Sequence, residues 1–331
     1  MSQRVQLIKV LADGKFHSGE ELGAAMGITR AAVWKQLQKL TDLGLFVESV
    51  KGKGYRFPGG LELLDAEVIQ QLMAPGVISN VSIQCFESLD STNAEVLRKM
   101  ALGNSSGCVV LAEMQTAGRG RRGREWLSPY GCNIYLSVGW RFLGGVQAMQ
   151  GLPLALGVET VRALEKSGVK GLRLKWPNDL LYDRRKVGGI LVEVEGDLAG
   201  ECHCAIGLGL NLGMSNRPAG EKIDQPWADL TQIAEQSLRR NQVVAHILNY
   251  WLPLIAHYEQ TGFSDYQSSW QAMDNFANQP VSILLGPNTV RGISRGVDEE
   301  GNLLLESDGV IKTFAGGEIS MRPTEENSRQ S

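Results

Sequence analysis

The apolar pattern of this 331-residue chain changes twice, near residue 60 and near residue 280. No single repeating plan of helices or strands can therefore hold all of it. Residues 1–58 carry helical stripes, residues 61–270 mix strands with helices, and residues 280–322 hold only short extended runs between turns. The chain is expected to be α+β, with an N-terminal winged helix-turn-helix, a central mixed-sheet domain and a small SH3-like β-barrel. Residues 323–331 are polar and read as a disordered tail.

In the first stretch, Val5, Leu7, Ile8 and Leu11 form a helical stripe that closes near Asp13-Gly14. Ser18 and Glu21 are spaced as a capping box, so a second short helix starts there and runs to Met26. Gly27 permits a tight turn, and Thr29 caps a third helix whose Ala32, Val33, Leu37 and Leu40 face inward. Trp34 is assigned to that packing. Two extended runs around Lys51-Gly52-Lys53-Gly54 predict a hairpin wing, and Pro58-Gly59-Gly60 a linker. The helix-turn-helix spans Gly19 to Gln38. Its second helix is expected to place Arg30, Lys35 and Gln38 where they reach groove edges or phosphates, and Lys51 and Lys53 suit backbone phosphates.

Charge supports this division. Residues 1–58 hold nine Lys/Arg against five Asp/Glu, whereas the remainder holds 24 against 31. A basic module on an acidic body is the asymmetry of a chain that meets nucleic acid at one end. The five cysteines make no disulfide framework in a chain this long, and no signal peptide or membrane span is evident. These features predict a cytoplasmic protein. In Cys202-His203-Cys204 the cysteines alternate with Ile206 along one strand face, so no metal site is assigned.

Three clusters carry chemistry. Gly118-Arg119-Gly120-Arg121-Arg122-Gly123-Arg124 makes a mobile, strongly positive loop with exposed N–H groups, able to close on phosphate or carboxylate oxygens. No Gly-Lys-Ser/Thr follows, so it is not a Walker loop. In Lys175-Trp176-Pro177-Asn178-Asp179 the proline biases Trp176 to extended geometry and fixes Lys175 at a strand end. The glycines of Lys186–Glu193 and of Gly207-Leu208-Gly209-Leu210-Asn211 allow close approach of a ligand or backbone. Asn211 offers a paired donor and acceptor for an adenine edge. The polar stretch 215–226 before Trp227 reads as a lid.

Together with Asp90-Ser91-Thr92-Asn93 and the Gly317-Glu318-Ile319-Ser320 ending, these clusters resemble the bacterial biotin protein ligases that double as biotin operon repressors. The resemblance covers about residues 4–322, and the Arg-Arg-x-Gly-Gly-Gly run of lipoate ligases is missing. It implies that biotin and ATP, with Mg²⁺, give biotinyl-5′-adenylate. A lysine of the biotin carboxyl carrier protein of acetyl-CoA carboxylase then takes the biotin. It implies catalytic roles for Lys175, Arg121 and Arg119. Ser91, Thr92, Asn93, Gln115, Arg119, Gly120, Arg121 and Lys175 would hold biotin. Gly118, Arg119, Gly120, Arg121, Arg122, Asn178, Asn211 and Trp227 would hold ATP or the adenylate. It further implies a homodimer, formed with bound adenylate, on operator DNA. Strand Val187 to Val194 is the candidate dimer edge. A ligase with a non-regulatory wing, and a ligand-sensing transcription factor without catalysis, stay open at this point.

Overall fold

In the computed structural model the described residues are 3–77, 81–103, 106–197, 199–215, 220, 223–316 and 319–323. The N-terminal unit comprises α1 (Gln3–Leu11), α2 (Gly19–Met26), α3 (Arg30–Asp42) and a hairpin of β1 (Glu48–Val50) and β2 (Gly54–Arg56). Ser18 and Glu21 cap α2 reciprocally at 3.1 and 2.7 Å, and Thr29 Oγ1 accepts from Ala32 N at 3.3 Å to start α3. Gly27 ends α2 in the left-handed region at φ +66°. Gly54 is obligatory for a different reason. At φ +105° a side chain there would fall onto the His17 carbonyl, and the strand would lose its pairing of Tyr55 with His17.

Two expectations change here. Trp34 is 54% exposed, because only Val33, Leu37 and Leu40 of α3 face the core. Residues 58–60 are a docked turn rather than a free linker. Gly60 N donates to Phe57 O at 3.0 Å and Leu61 N to Ala12 O at 2.9 Å. Beyond it the chain is clamped by the buried Arg240–Glu113 pair at 2.7 Å, whose carboxylate also accepts from Leu64 N. Tyr130, Met114, Leu61 and Leu63 complete the N-terminal core, and Arg4 pairs with Glu87 at 2.6 Å across the junction.

The central unit opens with α4 (Ala66–Leu72), β3 (Ser82–Phe86), α5 (Thr92–Ala101), β4 (Cys108–Ala112) and β5 (Ile134–Phe142). Next come α6 (Leu152–Lys166), β6 (Arg173–Lys175), β7 (Asp179–Tyr182), β8 (Arg185–Gly196) and β9 (Cys202–Leu210). It closes with α7 (Leu230–Ile233), α8 (Arg240–Thr261) and α9 (Ser264–Met273). Its seven-stranded sheet runs β3-β4-β5-β9-β8-β7-β6, with β3 parallel to β4 and every other pairing antiparallel. β4 shows how the layers form. Val109 and Leu111 face the α6/α8 side, while Cys108 and Val110 face α5 with Val96 and Met100.

β3 and β7 escaped the sequence reading because one is a half-buried edge strand and the other only four residues long. α7 begins only at Leu230, since Trp227 pairs with Lys186 in extended conformation. β8 lies inside the sheet, not at its edge. It pairs with β9 from Gly188 to Gly196, and with β7 from Arg185 to Gly189. From Val192 to Gly196 it makes no ladder on the side away from β9, among the described residues.

The C-terminal unit is antiparallel: β10 (Pro280–Leu285), β11 (Asn288–Val297), β12 (Leu303–Ser307), β13 (Val310–Phe314) and β14 (Ile319–Pro323), in the order β13-β12-β11-β10-β14. Trp176 Nε1 donates to Gly301 O at 3.1 Å, which seats this unit against the central one.

Candidate active site

The sheet places two adjoining cavities over β8 and β9, an inner one of about 120 Å³ and an outer one of about 680 Å³. Ser91, Thr92, Asn93, Gln115, Arg119, Gly120, Arg121, Arg122, Lys175 and Asn178 all line the inner cavity, although they are scattered over nearly 90 residues of chain. Asn211 and Trp227 line the outer one. Arg124, Glu125, Trp126, Lys186 and Gln225 belong to both walls.

The inner floor is a buried polar network at the start of α5. Ser91 is the N-cap, and Thr92 donates from N and Oγ1 to Gln115 Oε1 at 2.8 and 3.1 Å. Gln115 Nε2 donates in turn to Ser128 Oγ at 3.0 Å. Asn93 Nδ2 donates to Glu193 Oε2 at 2.8 Å and to Leu191 O at 3.1 Å, so its amide ties α5 to β8. Gly207 is required beneath it, because an added Cβ would meet Asn93 Oδ1 at 2.4 Å. Such a network is rigid, since leaving any member unpaired in a dry site costs about 1–3 kcal/mol.

The Gly/Arg segment is a closed turn. Gly120 N donates to Arg124 O at 2.7 Å and Trp126 N to Gly118 O at 2.9 Å. Arg122 occupies the left-handed region at φ +60°. Arg119 reaches Glu193 at 3.3 Å, and Arg121 donates to Asn178 Oδ1 at 3.3 Å and to Ile319 O at 3.2 Å. Burial, helped by Arg122 and Arg124 and opposed by Asp179, lowers the Arg121 pKa. Gly118 is not on the wall. It is buried behind it, where a Cβ would lie 2.5 Å from Trp126 O and 2.7 Å from Ser128 Oγ.

At the junction of the cavities, Asp179 sits between Lys186 at 2.6 Å and Lys175 at 3.6 Å. Burial would raise the Asp179 carboxyl, but Lys186 and Lys175 outweigh it and hold the group below the usual carboxylate range. Burial also pushes the Lys175 ammonium down, only partly offset by Asp179. The cluster keeps two cations aimed at one place with a single buried anion between them. It is built to receive anionic oxygen.

Trp126 roofs this junction. Its ring lies 5.3 Å from Lys186 Nζ and packs so closely on β9 that a Cβ on Gly209 would approach it to 2.5 Å. Arg322 of β14 faces the outer cavity. Trp126, Asp179, Lys186 and Arg322 were quoted or passed over in the sequence without a role. Trp126 and Lys186 adjoin the motifs, a usable signal, whereas Arg322 has no local one. Asn211 is corrected. Its Nδ2 donates to the carbonyls of Lys186 at 3.2 Å and Ala228 at 3.3 Å, so it latches β8 and the 227–230 segment together and has no free donor for an adenine edge. The 215–226 lid falls partly on residues 216–219 and 221–222, outside the described residues, as do Gly317, Glu318 and 324–331.

On the N-terminal unit, Arg30, Lys35, Lys51 and Lys53 are all exposed. The Arg30 stem lies back across Gly19, and Lys53 stands 5.9 Å over the Phe16 ring.

The family model described as "Biotin/lipoate A/B protein ligase family" matches residues 70–211. An HTH domain model matches residues 4–56 and a "Biotin protein ligase C terminal domain" residues 276–322. The bifunctional ligase/repressor BirA of Salmonella typhimurium is 44% identical, over 96% of this chain and 97% of its own. The chain belongs to the biotin protein ligase family. A further family member, BirA of Bacillus subtilis, is 30% identical over 94% of this chain and 95% of its own. Among solved structures, a biotin protein ligase from Aquifex aeolicus in complex with biotin and ATP superposes with a TM-score of 0.64 at 28% identity. It covers 75% of this chain and all of that one. No described helix is long and apolar enough to cross a membrane.

Proposed function

We propose that the protein is a biotin ligase and a biotin-responsive repressor, working in the reducing cytoplasm that its free cysteines suit. The observation that carries this reading is the Lys175–Asp179–Lys186 cluster, placed where a narrow polar cavity opens into a wider one. Biotin lies in the inner cavity, its ureido end toward Ser91, Thr92 and Gln115 and its carboxylate toward Arg119 and Arg121. The nucleotide lies in the outer cavity beside Trp227 and Arg124. A carboxylate oxygen attacks the α-phosphorus, the bond to pyrophosphate breaks, and biotinyl-5′-adenylate forms. Lys175, Lys186 and Arg121 hold the two anions together as charge shifts to the leaving oxygens.

ATP enters as its magnesium complex. The ion would offset phosphate charge, and Asp179, already engaged by Lys186 at 2.6 Å and Lys175 at 3.6 Å, would not be its first protein ligand. A lysine amine of the carrier protein's biotin-accepting domain then attacks the mixed anhydride and AMP leaves. Incubation with biotin, Mg-ATP and an acceptor domain tests this, and an acceptor left without biotin refutes it.

Gly118→Asp should loosen the site by overcrowding, not through lost backbone freedom. The new side chain must displace Trp126 O or Ser128 Oγ, and with it the Gln115 bond. Overpacking of about 1–3 kcal/mol corresponds to roughly 5- to 150-fold faster adenylate loss. Bystander lysines would then be biotinylated. Wild-type retention of the adenylate would contradict this account.

The adenylate can act as corepressor only if it binds the dimer-competent state more tightly. The unladdered stretch Val192–Gly196 of β8 replaces Val187–Val194 as the proposed edge for pairing with a second copy. Sedimentation with excess adenylate should show dimerisation tightened roughly 5- to 150-fold. A monomer–dimer constant that does not move removes the switch.

A further inference from the structure

We propose that Trp34 reads thymine in the major groove of the operator, an inference that rests on the DNA-binding reading of the N-terminal unit. It is a large indole left 54% exposed on α3. Phe46, the other exposed aromatic of this unit, precedes the wing and is not on that helix. Ala31 and Gln38 are exposed with Trp34 and lie at helical spacing from it, and exposed Lys35 lies at helical spacing from both of them. The four form one outward face opposite Val33, Leu37 and Leu40.

Arg30, one turn earlier on the same stripe, lies back across Gly19, where an added Cβ would meet its Cγ at 3.2 Å. Trp34 is then the first large side chain along that stripe free to enter a groove. The exposed charges of this unit include Lys35 and Lys39 on the same helix, and Lys51 and Lys53 on the wing. Those charges fit a phosphate backbone and not an apolar protein partner. The thymine C5-methyl is the apolar feature that a major groove offers, and contact with an indole buries it. Lysines here would set affinity, and Trp34 would set sequence.

The test uses the full-length protein with biotinyl-5′-adenylate and duplexes selected from a randomised library by the wild type. Replacing the contacted thymine with uracil removes one methyl. Wild-type affinity should fall about fourfold per half-site, the worth of one buried methyl group. Trp34→Ala should bind thymine and uracil duplexes alike, and its own selected consensus should lose that position. Its ligase activity and helix content should match the wild type. Lys51→Ala should weaken all duplexes evenly and reduce the salt slope by about one.

A Trp34→Ala variant that keeps the wild-type consensus overturns the proposal, as does a wild type indifferent to uracil at every thymine. Loss of dimerisation or of carrier biotinylation in Trp34→Ala, with the thymine preference kept, also overturns it, placing the indole against protein. In those cases the DNA-binding reading stands, because the wild type still selects a sequence. A wild type that selects no duplex overturns both.

Discussion

Lys175→Ala is expected to reduce biotin-dependent pyrophosphate release by about 10²- to 10³-fold while the protein stays folded, the loss seen when one preorganised charge-stabilising group leaves a dry site. Two features support this pairing of outcomes. The ammonium is nearly enclosed, so water cannot replace its charge during attack on phosphorus. Its removal also does not orphan Asp179, which keeps Lys186 at 2.6 Å. Lys175→Arg should not rescue, since a planar guanidinium does not fit a site shaped for a point charge. Burial lowers the Lys175 pKa, so its charged form is lost on the alkaline side earlier than for an ordinary lysine. Wild-type activity should therefore fall as pH rises through that lowered value, and the residual activity of Lys175→Ala should lack this limb. Near-normal pyrophosphate release by Lys175→Ala would show that Lys186 and the arginines suffice.

Removal of residues 1–58 should eliminate operator footprinting and leave ligation in place, because no residue of 1–58 lines either cavity. Stability should suffer nevertheless. Tyr130 is 2% exposed because it fills the N-terminal core, and Met114, Leu61 and Leu63 pack beside it. Uncovering one such large side chain costs about 2–3 kcal/mol, a fall in Tm of roughly 5–10 °C for a domain of this size. Met114 and Tyr130 also flank Gln115 and Ser128, so biotin binding should weaken along with stability. A truncated protein with the full-length Tm would show that the junction contributes nothing. A truncated protein that still footprints would locate DNA binding elsewhere.

Much of the fold was legible because its determinants are local. The Ser18/Glu21 box, the left-handed Gly27, the Thr29 cap and the continuous apolar run of β4 each depend on neighbours within about four residues. The weak elements were missed for the same reason. Among the helix-forming cues of α9, only Trp270 is buried, and β3 is half-exposed along its length. Their place is set by what they pack against. Of the residues that the resemblance assigned to biotin and nucleotide, most line the inner cavity, Asn211 and Trp227 line the outer one, and Gly118 is buried behind the wall.

By itself, then, the sequence determined three units, the caps and periods that build them, a cationic Gly/Arg segment, and a lysine held at a strand end. Only the tertiary structure decided which charges converge and which surfaces stay open. Asp179 is shared by lysines on β6 and β8, Arg322 arrives from another unit, and Asn211 is drawn into the backbone as a latch. Trp34 faces outward because the α3 core closes without it. Caps and periodicity are satisfied within one turn of chain. Convergence and exposure instead depend on segments up to 200 residues apart that meet only when the sheet is complete.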